Sequence, residues 1–156
     1  MALSFRPAHQ EDYEQLVKIV IEGFEKVTMQ TYVDQRFGLL NGTNWRDRWE
    51  GRVNKALKNE IVIVGESSAE IASVIAARID PKTQLAFINI LAVSRKYRQK
   101  GYGRKTLRWM LAHLKTLGGV HAHLDCLATN VEANRLYESE GFENVGHSVN
   151  WYIKIP

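Results

Sequence analysis

The sequence predicts a mixed α/β protein in which one sheet carries helices on both faces, in the order β-α-α-β-β-β-α-β-α-β-β. Three observations carry that prediction. Apolar residues recur at helical spacing in four segments, they alternate or run together in the others, and Gly, Pro and Asp punctuation falls between the two kinds.

Residues 3–6 read as a short strand ended by Pro7. Glu11 and Asp12 then supply the acidic first turn of a helix on which Tyr13, Leu16, Val17, Val20, Ile21 and Phe24 share a face. A second helix spans about 44–58, with Trp45, Trp49, Val53 and Leu57 every fourth residue as core positions and arginines on the other faces. Residues 61–64 and 71–79, joined by the polar turn Glu66-Ser67-Ser68, form a hairpin, and residues 85–93 add a third strand after Asp80-Pro81. Leu107, Met110, Leu111 and Leu114 mark a helix that stops at Gly118-Gly119. Residues 120–127 follow as a strand, with Val120, Ala122, Leu124 and Cys126 on one face and His121, His123 and Asp125 on the other. A helix over 131–139 closes at Gly141, and two strands, 142–146 and 149–155, complete the order.

Length and composition narrow the function. A chain of 156 residues, 45% hydrophobic, is expected to fold as one domain over 1–156 that buries most of its unfolded surface. No apolar run approaches the ~18 residues of a membrane helix, and Arg6, Pro7 and His9 interrupt any secretory segment, so a cytoplasmic protein with no membrane partner is expected. The single Cys126 excludes an intrachain disulfide and a cage of cysteines around a metal, as in a reducing compartment. The net charge of +4 is local: Arg95, Lys96, Arg98, Lys100, Arg104, Lys105 and Arg108 fall in one stretch without an acidic residue, and the remainder is net acidic. The expected partner is a compact polyanion, not nucleic acid.

That stretch also has the pattern of an anion site. A strand ending near Val93 delivers a basic loop into Gly101 and Gly103 and then a helix, so backbone N–H groups that the helix ladder leaves unpaired can converge on an anion. Each such bond to a charged group is worth roughly 1.5–3 kcal/mol. A Walker loop would need glycine at Arg98, and a Rossmann turn would need its glycines directly after the strand; neither fits. His121, His123 and Asp125 share an exposed face, but no metal site is expected of them. Cys126 is expected on the apolar side, which argues against an acyl-cysteine.

The segment Arg98-Gln99-Lys100-Gly101-Tyr102-Gly103 resembles the R/Q-x-x-G-x-G/A motif of the GCN5-related N-acetyltransferases, the GNAT superfamily. Asn130-Val131-Glu132-Ala133-Asn134-Arg135-Leu136-Tyr137-Glu138-Ser139-Glu140-Gly141-Phe142 is similar to the family's N-x-x-A-x-x-L-Y-x-x-x-G-F. The likeness covers the whole chain and is weakest between Thr28 and Lys58, where the family tends to place its acceptor site.

The resemblance implies the GNAT acyl-CoA N-acyltransferase fold, in which strands 85–93 and 120–127 splay apart, with acetyl-CoA as co-substrate and no metal. It implies that the pantetheine arm pairs with the backbone of Leu91, Ala92 and Val93. The pyrophosphate would sit on the N–H groups of Gln99, Lys100, Gly101, Tyr102, Gly103 and Arg104 beside Arg98, and Asn130 would bond the pantetheine. Tyr137 matches the family's usual general acid, since a phenol of pKa ~10 can protonate a thiolate of ~8.5. Where some members carry a glutamate on the strand, this chain has Asn89. Some N-terminal acetyltransferases of the family use instead an acid on the later strand at the place Asp125 fills, twelve residues before Tyr137, so the resemblance makes Asp125 the candidate base, and being short it would act through water.

The expected activity is transfer of acetyl from acetyl-CoA to a primary amine by direct attack, the acceptor being a small molecule or peptide with an amine of modest pKa. Its walls are expected among Phe24, Met29, Tyr32, Phe37, Leu39, Trp151 and Tyr152, and the protein is expected to be a monomer or homodimer. Two alternatives stand beside it. One is a non-catalytic acyl-CoA-binding module, motivated by Asn89; the other is a basic nucleic-acid-binding protein, motivated by Arg46, Arg48, Arg52, Lys55 and Lys58.

Overall fold

The structure is a computed structural model and describes residues 2–156. One sheet of five strands runs in the spatial order β1 (Ser4–Pro7), β2 (Ile61–Ser67), β3 (Glu70–Asp80), β4 (Leu85–Val93) and β5 (His121–His123). The first four pair antiparallel, and β5 lies parallel to β4. On one face pack α1 (Tyr13–Phe24) and α3 (Trp45–Asn59), with α2 (Gln30–Phe37) leaning on α3; on the other lie α4 (Tyr102–Thr116) and α5 (Val131–Ser139). Every residue of β3 from Ile71 to Ala77 is buried, as a central strand covered on both faces must be.

Two apolar layers result. Leu16, Val20, Trp49 and Val53 meet Val64, Val74, Ala76, Ile90 and Ala92 on the α1/α3 side, while Leu107, Met110 and Leu114 meet Ile63, Ile75, Ala77, Ala86 and Ile88 on the α4 side. In a regular strand Ala86, Ile88, Ile90 and Ala92 would share one face. They do not, because the β3/β4 register shifts: Ala77 pairs with Ile88 and Ala76 with Ile90, which leaves Asn89 as the extra residue of a bulge. The bulge turns β4 over, so its first half serves α4 and its second half serves α1.

The sheet's far edge opens just before the bulge. β4 pairs with β5 only at Leu85–His121, Ala86–Ala122 and Phe87–His123, and from Ile88 onward it has no strand beside it on that side among the described residues. The expected strand over 120–127 therefore ends at His123, and the two chain segments part as the resemblance implied.

One helix stands outside the expected order, and two further expectations need correction. Segment 30–37 is a helix with only Val33 buried; too few apolar residues mark it, and what holds it is Asp34, which accepts from Trp45 N–H (2.7 Å) and pairs with Arg48 (2.6 Å). The strands expected at 142–146 and 149–155 do not form: the chain there is irregular, and Val145, Val149, Trp151, Ile153 and Ile155 are exposed. Their alternation is strand-like, but β5 at the sheet edge is three residues long and gives them no ladder of matching length. Trp45, Trp49 and Val53 are buried as expected, whereas Ala56, not Leu57, completes that stripe.

Candidate active site

A cleft of about 1470 Å³ opens where β4 and the segment after β5 part, and it is walled by the N-terminus of α4, the start of α5 and the link between α1 and α2. Leu91, Ala92 and Val93 line it with the unaccompanied edge of β4. Backbone donors and acceptors on such an edge are available to an extended ligand.

The anion end is built at the start of α4. Gly101 is the N-cap at φ 74°, a left-handed conformation that costs a side-chain-bearing residue about 1–2 kcal/mol, and it offers no side chain to cap the helix. The first ladder bond of α4 is Lys105 N–H to the Gly101 carbonyl (3.1 Å), so the N–H groups of Tyr102, Gly103 and Arg104 carry no helical partner. Gln99 is left-handed too (φ 58°), and the turn curls between these two residues. A methyl on Gly103 would meet Val93 and Leu136 at ordinary contact distance, 3.6 and 3.7 Å, so packing does not demand that glycine. Beneath the loop, Tyr97 stacks on Tyr102 (5.6 Å) and donates to Glu70 (2.7 Å), and the Ser73 and Thr106 hydroxyls bond at 2.7 Å.

The seven cations of this stretch divide by partner. Lys96 pairs with Glu70 (2.7 Å), and Arg104 (3.2 Å) and Arg108 (2.6 Å) both pair with Glu140, whose carboxyl Arg108 holds below the usual carboxylate range. Arg104 also donates Nη2–H to Ser139 (2.9 Å), so its guanidinium is largely engaged there, and its backbone N–H remains for an anion. Arg95 and Arg98 line the cleft. Arg98 donates Nε–H to the Val93 carbonyl (3.1 Å), and its Nη2 is buried with no partner among the described residues. A buried orphan guanidinium nitrogen beside uncapped helix N–H groups fits a phosphate or carbonyl oxygen.

Across the cleft, Asn130 caps α5, its side-chain oxygen accepting from Ala133 N–H (3.3 Å). Asn134, which sequence reasoning gave no role, fixes that turn by donating to the carbonyls of Leu127 (2.8 Å) and Asn130 (2.9 Å). Tyr137 lines the cleft half-buried, edge-on to Phe142 (5.8 Å), and its hydroxyl has no hydrogen-bond partner among the described residues. Burial, with the Cys126 thiol adding to it, pushes Tyr137 up to about 12, so it is a protonated phenol at any working pH. Cys126 lines the cleft and does not join the core as expected, because regular alternation stops with β5 at His123. Burial pushes its thiol up as well, which keeps it neutral and a poor nucleophile. Asp125 stands exposed in the same cleft with no hydrogen bond or ion pair among the described residues.

At the remaining end, the Asn89 side chain donates to Glu60 (2.8 Å) and accepts from Arg52, whose Nη2 also reaches the Asn89 carbonyl (3.0 Å). Arg52 lies over the Trp49 ring at 4.6 Å. Phe24 and Met29 line the cleft here as expected, but Tyr32 lines a separate hollow with Trp45, and Phe37 lies tilted against Tyr152 at 6.4 Å. Leu39 and Trp151 are exposed and line neither. Arg46 pairs with Glu25, Arg48 with Asp34, and Arg52 bonds Asn89, so three of the cations on α3 are held by protein groups and do not form a free basic stripe. No cluster of three His, Cys, Asp or Glu side chains suited to a metal ion occurs among the described residues, and no helix there is long and apolar enough to cross a membrane.

Solved structures with the same fold are numerous. The PaiA N-acetyltransferase of Thermoplasma acidophilum, solved with coenzyme A, matches with a TM-score of 0.68 at 15% identity over 92% of this chain and 91% of its own. The ribosomal-protein alanine N-acetyltransferase of Escherichia coli matches at 0.70 and 16% identity over 93% and 80%. An aminoglycoside N-acetyltransferase in complex with CoA matches at 0.70 and 11% identity over 99% and 96%. Among curated proteins, a sequence search finds no match. The family model for acetyltransferases covers residues 22–142, from the end of α1 through both motifs, and by that match this chain belongs to the acetyltransferase (GNAT) family.

Proposed function

We propose that the cleft binds acetyl-CoA and that the protein transfers its acetyl group to the primary amine of a small molecule or peptide. One observation carries the reading: the uncapped start of α4, the open edge of β4 and Tyr137 all line a single cleft. Coenzyme A complexes of two proteins with the same fold agree with it.

In this reading the N–H groups from Gln99 to Arg104 bind the pyrophosphate, and Arg98 completes that shell with Nη2. Arg95 on the cleft wall adds positive charge with no ion pair among the described residues, and Lys100, beside the Tyr97 ring and outside the cleft lining, adds charge at longer range. The backbone of Leu91, Ala92 and Val93 bonds the pantetheine amides, and Asn130 adds a side-chain bond. Bound acetyl-CoA supplies a thioester carbonyl open to attack. The amine nitrogen forms a bond to the acetyl carbon, the carbon–sulfur bond breaks, Tyr137 gives its proton to the sulfur, and the proton lost by the amine passes through water towards Asp125.

A phenol at about 12 is a weaker acid than an ordinary tyrosine. The same low polarity that disfavours phenolate disfavours a thiolate there, as the raised Cys126 thiol indicates, so donor and leaving group rise together. Asn89 takes no proton, and both ends of its amide are already engaged. An acceptor of modest pKa suits so lightly equipped a site, since an α-amine near ~8 is neutral in roughly one molecule in ten at pH 7 against fewer than about one in a thousand for a lysine.

Two measurements test this. Acetyl-CoA should raise the melting temperature, and a panel of amines should release free thiol in its presence. Stabilisation without thiol release from any amine would leave an acyl-CoA-binding module, and no stabilisation would remove the cleft assignment altogether.

A further inference from the structure

Arg52 is used by nothing in the acetyl-transfer chemistry, yet it lines the same cleft as Tyr137 and Asp125. Its position is constructed. The bulge at Asn89 presents both a side-chain oxygen and a backbone carbonyl, which take the Nε and Nη2 hydrogens of Arg52, while the indole of Trp49 lies against the guanidinium at 4.6 Å. Two of the three nitrogens are thus spent on orientation. Nη1 has no hydrogen-bond partner, and Arg52 has no ion pair within 4 Å, among the described residues; nearby Glu60 accepts from Asn89 and pairs with Arg78 through Oε1, and its Oε2 is buried with no partner among them. A fixed guanidinium with one free edge is suited to a planar anion.

Opposite charge lines the same cleft. Asp125, on the segment that leaves β5, is unpaired and close enough for its charge to act on Arg52. Glu60 and Arg78, whose charges also act on Arg52, pair with each other (3.2 Å), and Glu25 on the rim pairs with Arg46 (2.9 Å); Glu22 and Lys26 line the cleft as well, while Thr28, Met29 and Trp49 are uncharged. A cation and an anion across one gap recognise a ligand that carries both charges.

We propose that the acceptor is an amine bearing a carboxylate, of the α-amino acid class, with its carboxylate on Arg52 and its amino group towards Asp125. This rests on the acetyl-transfer reading and narrows its substrate. The products are then the N-acetylated acid and free CoA thiol, with the bonds and protons exchanged as above. Arg52 is a specificity-determining residue here and takes no part in proton transfer.

The test is thiol release from acetyl-CoA with each common α-amino acid set against its carboxamide and its decarboxylated amine. At least one acid should exceed both analogues by tenfold or more in kcat/KM. Arg52→Gln, which keeps a donor for Asn89, should erase that preference through KM with kcat within about threefold, and Arg52→Lys should keep part of it. Acetyl-CoA stabilisation, measured in parallel, should be unchanged in both variants. Preferred acetylation of carboxamides or simple amines by the wild-type protein overturns the carboxylate assignment and leaves acetyl transfer standing. A preference for acids that survives in Arg52→Gln also overturns it. Absence of both stabilisation and thiol release with every amine defeats the underlying reading instead.

Discussion

Arg98 bonds the carbonyl of Val93 through Nε at 3.1 Å and keeps Nη2 buried with no partner among the described residues, so the last residue of β4 sets the direction of the guanidinium at the anion end of the cleft. Replacing Arg98 by alanine should weaken acetyl-CoA binding by roughly ten- to a hundredfold, the worth of one or two charge-assisted bonds. Titration calorimetry checks it, and an unchanged Kd would mean that Nη2 faces protein alone.

A larger loss is expected at Gly101. Valine there must leave the left-handed region, and the turn that aims three N–H groups at one point is lost with it. Binding should become undetectable by thermal shift while the far-ultraviolet circular dichroism stays that of the wild type. Gly118, equally left-handed (φ 94°) at the other end of α4, is the control: Gly118→Ala should lower the melting temperature slightly and leave acetyl-CoA binding intact.

For Tyr137 the expected signature is a split between rate and affinity. Tyr137→Phe should lower kcat about a hundredfold and change Kd for CoA by less than threefold. Because the phenol is held at about 12, it stays protonated below that pH and contributes no falling limb up to about pH 11. The wild-type rate should instead rise from pH 7 to 9 as the amine deprotonates, and Asp125→Asn should cost about tenfold. A falling limb near pH 10 that disappears in Tyr137→Phe would contradict the burial described for this residue.

Stability should carry an acid-sensitive contribution from the first turn of the chain. The Arg6 guanidinium, bonded to Asp12 at 2.8 and 3.0 Å, with the His9 N–H at 2.7 Å, holds the Asp12 carboxyl below the usual carboxylate range. A lowered folded pKa stabilises above the unfolded value of ~3.9 and is lost as pH falls through the folded one. Asp12→Asn should therefore cost about 1–2 kcal/mol at pH 7, towards the low end because Arg6 remains 29% exposed, and in urea unfolding the gap from wild type should narrow only as pH falls below the usual carboxylate range.

The helices and strands with many apolar residues were legible from periodicity: α1, α3, α4 and β2 to β4 lie where Leu16, Trp49, Leu107 and Ile75 required. Helix α2 was not, because its order comes from Asp34 reaching across to α3, a contact with no local signature. The end of β5 at His123 and the entry of Cys126 into the cleft were hidden for a related reason. β5 loses its pairing with β4 just before the Asn89 bulge, and an extra residue in one strand is visible only against its partner. The glycine motif marked the anion end through backbone conformation, which sequence encodes directly. Arg52 was legible as a charge but not as part of the cleft, since Asn89 and Trp49 meet it from distant parts of the chain.

The turnover of β4 at Asn89 separates two mutational neighbourhoods that are adjacent along the chain. Ile88 and Ile90 are two residues apart, but one is packed under α4 and the other under α1. Truncations at the two positions should add almost independently, as distant sites do, where same-face neighbours in a regular strand would be coupled through a shared cavity. Lineages of this chain can therefore refit the helix that carries the anion loop without disturbing the helix beside the acceptor end, and the reverse, with a single inserted residue acting as the insulator between the two adjustments.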